Sequence, residues 1–185
     1  MARVPNLAAE ELTPEQKRIH DDIAATRSGT VRGPFALWLR TPEIADLANR
    51  LGVVLRARKL EQRLFELMVL VIARHWSAQY EWFAHEKHAV RLLAGDVIEA
   101  IRAGRKPAFA KSDEELVYRT VTELNETRTV SQKTYDRALA ALGLERLIEL
   151  VAAAGFYTMV AMTLNAFDAP VPGGERPLPD LEGKP

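Results

Sequence analysis

The sequence predicts an all-α protein, on three observations. Apolar residues recur at helical spacing: Leu60, Leu64, Leu67, Met68 and Val71 form one stripe, and Phe65, Val69 and Ile72 a second. Helix-start signals recur along the chain, at Thr13-Pro14-Glu15-Gln16, Thr41-Pro42-Glu43, Ser112-Asp113-Glu114-Glu115 and Ser131. No stretch alternates β-branched and polar residues between turn signals, which is what a half-buried strand needs.

The elements follow in order. Thr13 as N-cap, Pro14 in the first turn and Gln16 at the third position open a helix running to about Arg27, with Ser28-Gly29 as the stop. Val31 to Trp38 reads as an apolar loop broken by Gly33-Pro34, whose aromatics need burial. A second helix starts at Thr41-Pro42-Glu43 and ends near Leu51-Gly52. The next starts at Arg58 and is apolar on more than one side, so it is buried. His75-Trp76-Ser77 interrupts it, and Ser77 is placed to cap a helix from Gln79 to Leu93, ended by Ala94-Gly95. Asp96 then caps a short helix to Arg102, before Gly104 and Pro107. Acidic residues after Ser112 suit the positive end of a helix carrying Leu116, Val117, Thr120, Val121 and Leu124. Ser131 caps another through Leu142, ended by Gly143, and a long last helix covers Glu145 to about Phe167. The Pro- and Gly-rich residues beyond it have no periodicity and read as an arm or disorder.

Composition excludes several function classes. The 185 residues are 48% hydrophobic, enough for a real core, and 25 basic residues balance 25 acidic ones. No global field draws such a chain to nucleic acid or an anionic membrane, and near-zero net charge favours self-association. Without cysteine there is no disulfide, thiolate nucleophile, iron–sulfur cluster or cysteine-based zinc site. The N-terminus has no apolar stretch behind a basic start, so the expected location is the cytoplasm. Leu150 to Phe167 lacks charge and reaches the length threshold of a membrane span, but its Ala, Gly155, Thr and Asn165 content suits a buried or subunit-interface helix better.

Glu66 stands among nine apolar neighbours, Leu64 to Ala73. It either occupies the one exposed strip of its helix or faces inward, where desolvation raises its pKa toward acid/base use. Glu81, His85 and His88, at spacings of four and three, share one helix face with Tyr80 and Trp82 interleaved. Glu81 can orient His85 as an acid/base pair, the trio can hold a divalent cation, or the face is simply solvated. Arg74, His75 and Trp76 fall between two helices, where a ligand can meet them, and a guanidinium binds carboxylate bidentately. Tyr157 and Asn165 need partners if buried.

Three stretches together resemble the carboxymuconolactone decarboxylase-like, or alkylhydroperoxidase D-like, superfamily: Arg63-Leu64-Phe65-Glu66, Trp76 through His85, and Gly95 to Ile101. A further match runs from Leu147 through Gly155-Phe156-Tyr157 to Leu164-Asn165-Ala166-Phe167. The resemblance spans about 30–168, which implies an N-terminal helical extension over 1–29, a helical domain of that family's type over 30–168, and a tail over 169–185. In the peroxidase branch a glutamate precedes a Cys-x-x-Cys-x-x-x-His motif. By spacing these map to Glu66 and His85, with Ala78 and Glu81 at the cysteine positions, so the thiol peroxidase mechanism is excluded. The decarboxylase branch implies Glu66, Glu81 and His85 as catalytic groups, with Glu66 lining one pocket with His85; beside them Arg74, His75, Trp76 and Tyr80 are the expected substrate-binding groups, with no metal or other cofactor. It also implies a small organic acid or lactone as substrate, and a homo-oligomer, as dimer, trimer or hexamer. Loss of CO2 from a β,γ-unsaturated acid leaves a dienolate that needs a proton at carbon and a cation near its oxygen, which Arg74 or His75 can supply. The alternative is a non-catalytic oligomeric binding protein of the same fold.

Overall fold

The computed structural model describes residues 2–57 and 59–181, and all regular structure among them is helical. By internal contacts the chain divides into two units, Met1–Arg58 with Thr163–Pro170, and Lys59–Met162 with Val171–Pro185.

The first unit holds α1 (Pro14–Thr26), α2 (Pro34–Trp38) and α3 (Pro42–Arg56). The Thr13–Gln16 capping box forms as expected, with Gln16 N–H donating to Thr13 Oγ1 at 3.2 Å and Thr13 N–H to Gln16 Oε1 at 3.0 Å. Ile19 and Ile23, one turn apart, are fully buried, so α1 belongs to this unit's core rather than being an appended arm. The stretch expected as a loop carries a short helix instead. Gly33 at φ +60° turns the chain into it, Pro34 supplies a preset φ at its start, and Phe35 and Trp38 bury their rings edge to face at 5.1 Å. α3 likewise runs four residues past the expected stop at Gly52. That glycine falls on the buried face with Ala45, Ala48 and Leu55, where packing outweighs its poor helix propensity. Trp38 Nε1–H donates to Thr163 Oγ1 at 3.1 Å.

In the second unit α4 (Gln62–His75) is the centre, and every residue from Leu64 to Arg74 is buried. Against it pack α5 (Gln79–Ala89), α6 (Gly95–Arg102) and α7 (Ser112–Thr127), with α8 (Gln132–Leu142) on α7. α9 (Leu144–Ala166) follows, its residues to Met162 belonging to this unit. Arg63 ties α4 to α7. Its Nη1 lies 2.7 Å from Glu114 and 3.2 Å from Asp113, and its Nη2 lies 2.7 Å from Asp113. The Glu149 carboxylate of α9 accepts the backbone N–H groups of Lys59 at 3.1 Å and Leu60 at 2.8 Å, just ahead of α4.

Three terminus signals resolve differently from expectation. Ser77 is not a cap: it takes a left-handed φ of +49° in the reversal, and Ala78 precedes α5 without a side-chain cap. Gly95 opens α6 rather than closing α5, which ends at Ala89, and Asp96 lies inside the first turn of α6, where Ala94 holds the cap position without a side-chain bond. Ser131 does cap α8, its Oγ accepting from Thr134 N–H, and Glu123 accepts from Ser131 N–H at 2.8 Å and Thr134 Oγ1 at 2.7 Å. Desolvation pushes the Glu123 carboxyl up, but these bonds and Arg119 together bring it down to about 2. A carboxyl held below its unfolded value of 4.5 stabilises the fold above that pH and loses this as pH falls through its folded value. Urea unfolding of Glu123→Gln is therefore expected to show a deficit against wild type at pH 7 that closes steadily between about 4.5 and about 2.

The tail expected as an arm or disorder is a strap over the second unit through Leu181; residues 182–185 of that expectation lie outside those described. Leu178 is 1% exposed and exchanges two 2.9 Å hydrogen bonds with the Gln79 carboxamide. Arg102 donates to the Pro177 carbonyl and Arg74 to that of Pro179, both at 2.8 Å. Gly104 turns the chain at φ +68°, a conformation that favours glycine, and a Cβ there would stand 2.8 Å from Leu181 Cδ2, so the Leu181 side chain would have to shift.

Candidate functional site

The site is built by the α4–α5 hairpin. Three backbone bonds close the reversal, Trp76 N–H to Ile72 O, Ser77 N–H to Arg74 O and Ala78 N–H to Ala73 O. The antiparallel return sets Glu66, nine residues before His75, opposite His85, seven residues after Ala78. Glu66 Oε2 and His85 Nδ1 meet at 2.8 Å, with side chains 6% and 19% exposed. Of the two readings left open for Glu66, the inward one holds. A carboxylate can only accept, so Nδ1 donates to it, and Nε2 bonds nothing among the described residues. The Tyr157 ring of α9 stands edge-on to the imidazole at 5.1 Å and 90°, and edge-on to Phe65 at 5.4 Å. An ionisable pair thus sits between α4 and α5 against an aromatic wall from α9.

Glu81 does not orient His85, contrary to the sequence expectation; Glu66 does. Glu81 is 1% exposed, and neither carboxyl oxygen has a hydrogen-bond partner. Desolvation alone pushes its pKa well above the usual carboxylate range, so burial favours the neutral form of this carboxyl, one helical turn from His85. A pKa raised on folding has a definite sign. Its stability contribution is intact below the unfolded value of 4.5, then falls as the unfolded chain ionises and the folded one cannot follow. Glu81→Met is therefore expected to stabilise the protein by about 1–3 kcal/mol at pH 7. The gain should shrink toward pH 4.5 in a pH series of thermal or urea unfolding.

His88 is exposed, 6.5 Å from the His85 ring centre, and desolvation lowers its pKa against the pull of Glu66. No grouping of three or more His, Asp or Glu side chains able to hold a metal ion occurs among the described residues.

Arg74, His75 and Trp76 stand at the other end of α4. Eight residues separate Arg74 from Glu66, about 12 Å along the axis, so the structure does not bring the expected substrate cation to the acid/base pair. Arg74 is buried and gives Nη2 to Ser77 Oγ at 2.9 Å, besides its bond to Pro179 and one to Arg102 O at 3.2 Å. His75 and Trp76 contact each other edge to face at 5.9 Å, and both are half-buried, as is Tyr80. Sequence reasoning gave no role to Glu86 and Arg102, which pair beside Trp82: Trp82 Nε1–H donates to Glu86 at 3.0 Å and the Arg102 guanidinium stands 5.2 Å over the indole. The i, i+4 spacing of Trp82 and Glu86 is the one local signal for it. Compared with models of known families and with curated protein sequences, the chain matches none.

Proposed function

We propose that this protein is an acid/base catalyst acting on a small carboxylated or lactone compound, in the manner of the carboxymuconolactone decarboxylase-like superfamily its sequence resembles. The observation that carries the reading is the shielded Glu66–His85 pair, with Nδ1 held and Nε2 unbonded. In this proposal the bond from the ring carbon to the carboxylate breaks, CO2 leaves, and the electron pair spreads onto the ring as a dienolate. Protonated His85 delivers its Nε2 proton to carbon and regains one from solvent, while Glu66 stabilises the imidazolium and fixes its orientation. Tyr157 and Phe65 exclude water from one side. No thiol takes part, since the chain has none. The test is CO2 release from a panel of carboxylated γ-lactones by the purified chain. Release that wild type and His85→Ala give equally, or release by neither, overturns the proposal.

A second reading, a non-catalytic small-molecule binder of the same fold, draws on the separation of Arg74 from the pair. Under it the His85 and Glu66 variants keep ligand affinity.

We place the protein in the cytoplasm as a homo-oligomer. Two exposed apolar stripes support self-assembly, Ile44, Leu47, Leu51 and Val54 on α3, and Leu144, Ile148, Val151, Met159 and Met162 on α9. The α9 stripe borders an apolar groove of about 370 Å³ that Tyr135 also lines. α9 is long and apolar enough to cross a membrane, but half of its apolar window is buried within the chain. Ile148→Glu is expected to reduce the particle to a smaller species in light scattering on a sizing column; unchanged mass would remove α9 as the assembly face.

A further inference from the structure

Arg74 is 5% exposed, yet no carboxylate bonds it. Its partners are two backbone carbonyls and the Ser77 hydroxyl, and its buried Nε–H has no partner. Asp180 is close enough for its charge to act on Arg74, but its carboxylate pairs with Arg176 at 3.2 Å. Desolvation lowers the proton affinity of this guanidinium, and the charge of Asp180 offsets only part of that. Asn125 on α7 also has a buried, unpartnered donor, Nδ2. Arg74 and Asn125 line one cavity of about 90 Å³. Buried donors without acceptors are rare enough that two in one cavity call for an account.

From these observations we infer that this cavity is a binding site for a single compact oxyanion, a small carboxylate or inorganic phosphate, held by Arg74 and Asn125 beneath the strap. The remaining lining agrees. Arg105 adds a second positive charge and Tyr118 and Thr122 add hydroxyls, against one carboxylate, Glu126. Desolvation raises the Tyr118 pKa, so the phenol keeps its proton and can donate. The volume suits an ion of a few heavy atoms and no substrate-sized ring. Leu181 also lines the cavity, so access to it depends on the strap. The site is separate from the Glu66–His85 pair and does not rest on the function proposed for that pair.

The test titrates the full chain by calorimetry with acetate and with inorganic phosphate, using chloride at matched ionic strength as the control. One of the two oxyanions is expected to bind with one site per chain, chloride is not, and which one binds identifies the source. Asn125→Leu removes a donor while leaving Arg74 and the strap contacts, and should weaken binding about tenfold or more. Arg74→Gln should do the same, with a circular dichroism check because Arg74 also anchors the strap. His85→Ala should bind as wild type does. The inference is overturned if neither oxyanion exceeds chloride, if Asn125→Leu binds undiminished, or if His85→Ala abolishes binding.

Discussion

Under the proposed function, turnover of a carboxylated γ-lactone by His85→Ala is expected to fall by about 10²–10⁴-fold, the usual contribution of a positioned general acid or base. Its thermal midpoint is expected to fall as well, because the variant leaves the Glu66 carboxyl, 6% exposed, without its hydrogen-bond partner, so turnover is compared well below both midpoints. Glu66→Gln should lose about 10–10²-fold, less than His85→Ala, since the carboxamide oxygen still accepts from Nδ1 but carries no charge to balance an imidazolium. Both losses belong in kcat rather than KM, because neither group is assigned to ground-state binding. The double variant is the sharper measurement. Two residues acting as one unit are not additive, so the double variant should be no slower than His85→Ala alone. Independent, multiplying losses would show that the 2.8 Å contact is structural and the chemistry lies elsewhere.

The largest stability effect is expected at Arg63. Its side chain is 13% exposed and stands between Asp113 and Glu114, the latter 6% exposed. Arg63→Met keeps the packing stem but leaves the buried Glu114 carboxylate with only the longer contact to Lys111 Nζ at 4.0 Å, and is expected to cost about 3 kcal/mol at pH 7. The pH dependence identifies the cause. The hydrogen bond from Arg63, opposed by desolvation, holds Asp113 below its ordinary value of 3.8. A depressed carboxyl stabilises above its unfolded pKa and loses that as pH falls through its folded one. The gap between wild type and variant in urea unfolding should therefore narrow below pH 3.8. A gap constant down to the lowest pH would assign the loss to packing instead.

The helical framework was legible because each signal acts locally. The Thr13–Gln16 box, Ser131, Gly143 and the Leu60–Val71 stripes all mark real features at or near their expected places. Misplaced boundaries arose where tertiary burial overrode propensity: Gly52 continues α3 because its face is buried, and Pro34–Trp38 forms a helical turn because its aromatics pack. At the site, the sequence names Glu66 and His85 and the resemblance puts them on one pocket, but the residue it expects to orient His85 is Glu81, and the structure gives that contact to Glu66. Helical spacing favoured Glu81, four residues away on the same helix, whereas the contact is made across a hairpin by a residue nineteen positions earlier. A period of 3.6 reports neighbours along one helix and is blind to the helix opposite. Asn125 and the strap carbonyls were out of reach for the same reason: no local pattern marks a donor whose acceptor is missing or about a hundred residues distant.

The strap also sets an order of events for folding. Pro177, Leu178 and Pro179 meet partners 75, 99 and 105 positions back along the chain. Helices α4 and α5 can pair through a short reversal in microseconds, whereas docking the strap requires closing a loop of on the order of 100 residues. In pulse-labelled refolding the α4 amides should gain protection first, and the Leu178 amide, which donates to Gln79, should become protected in the last resolvable phase.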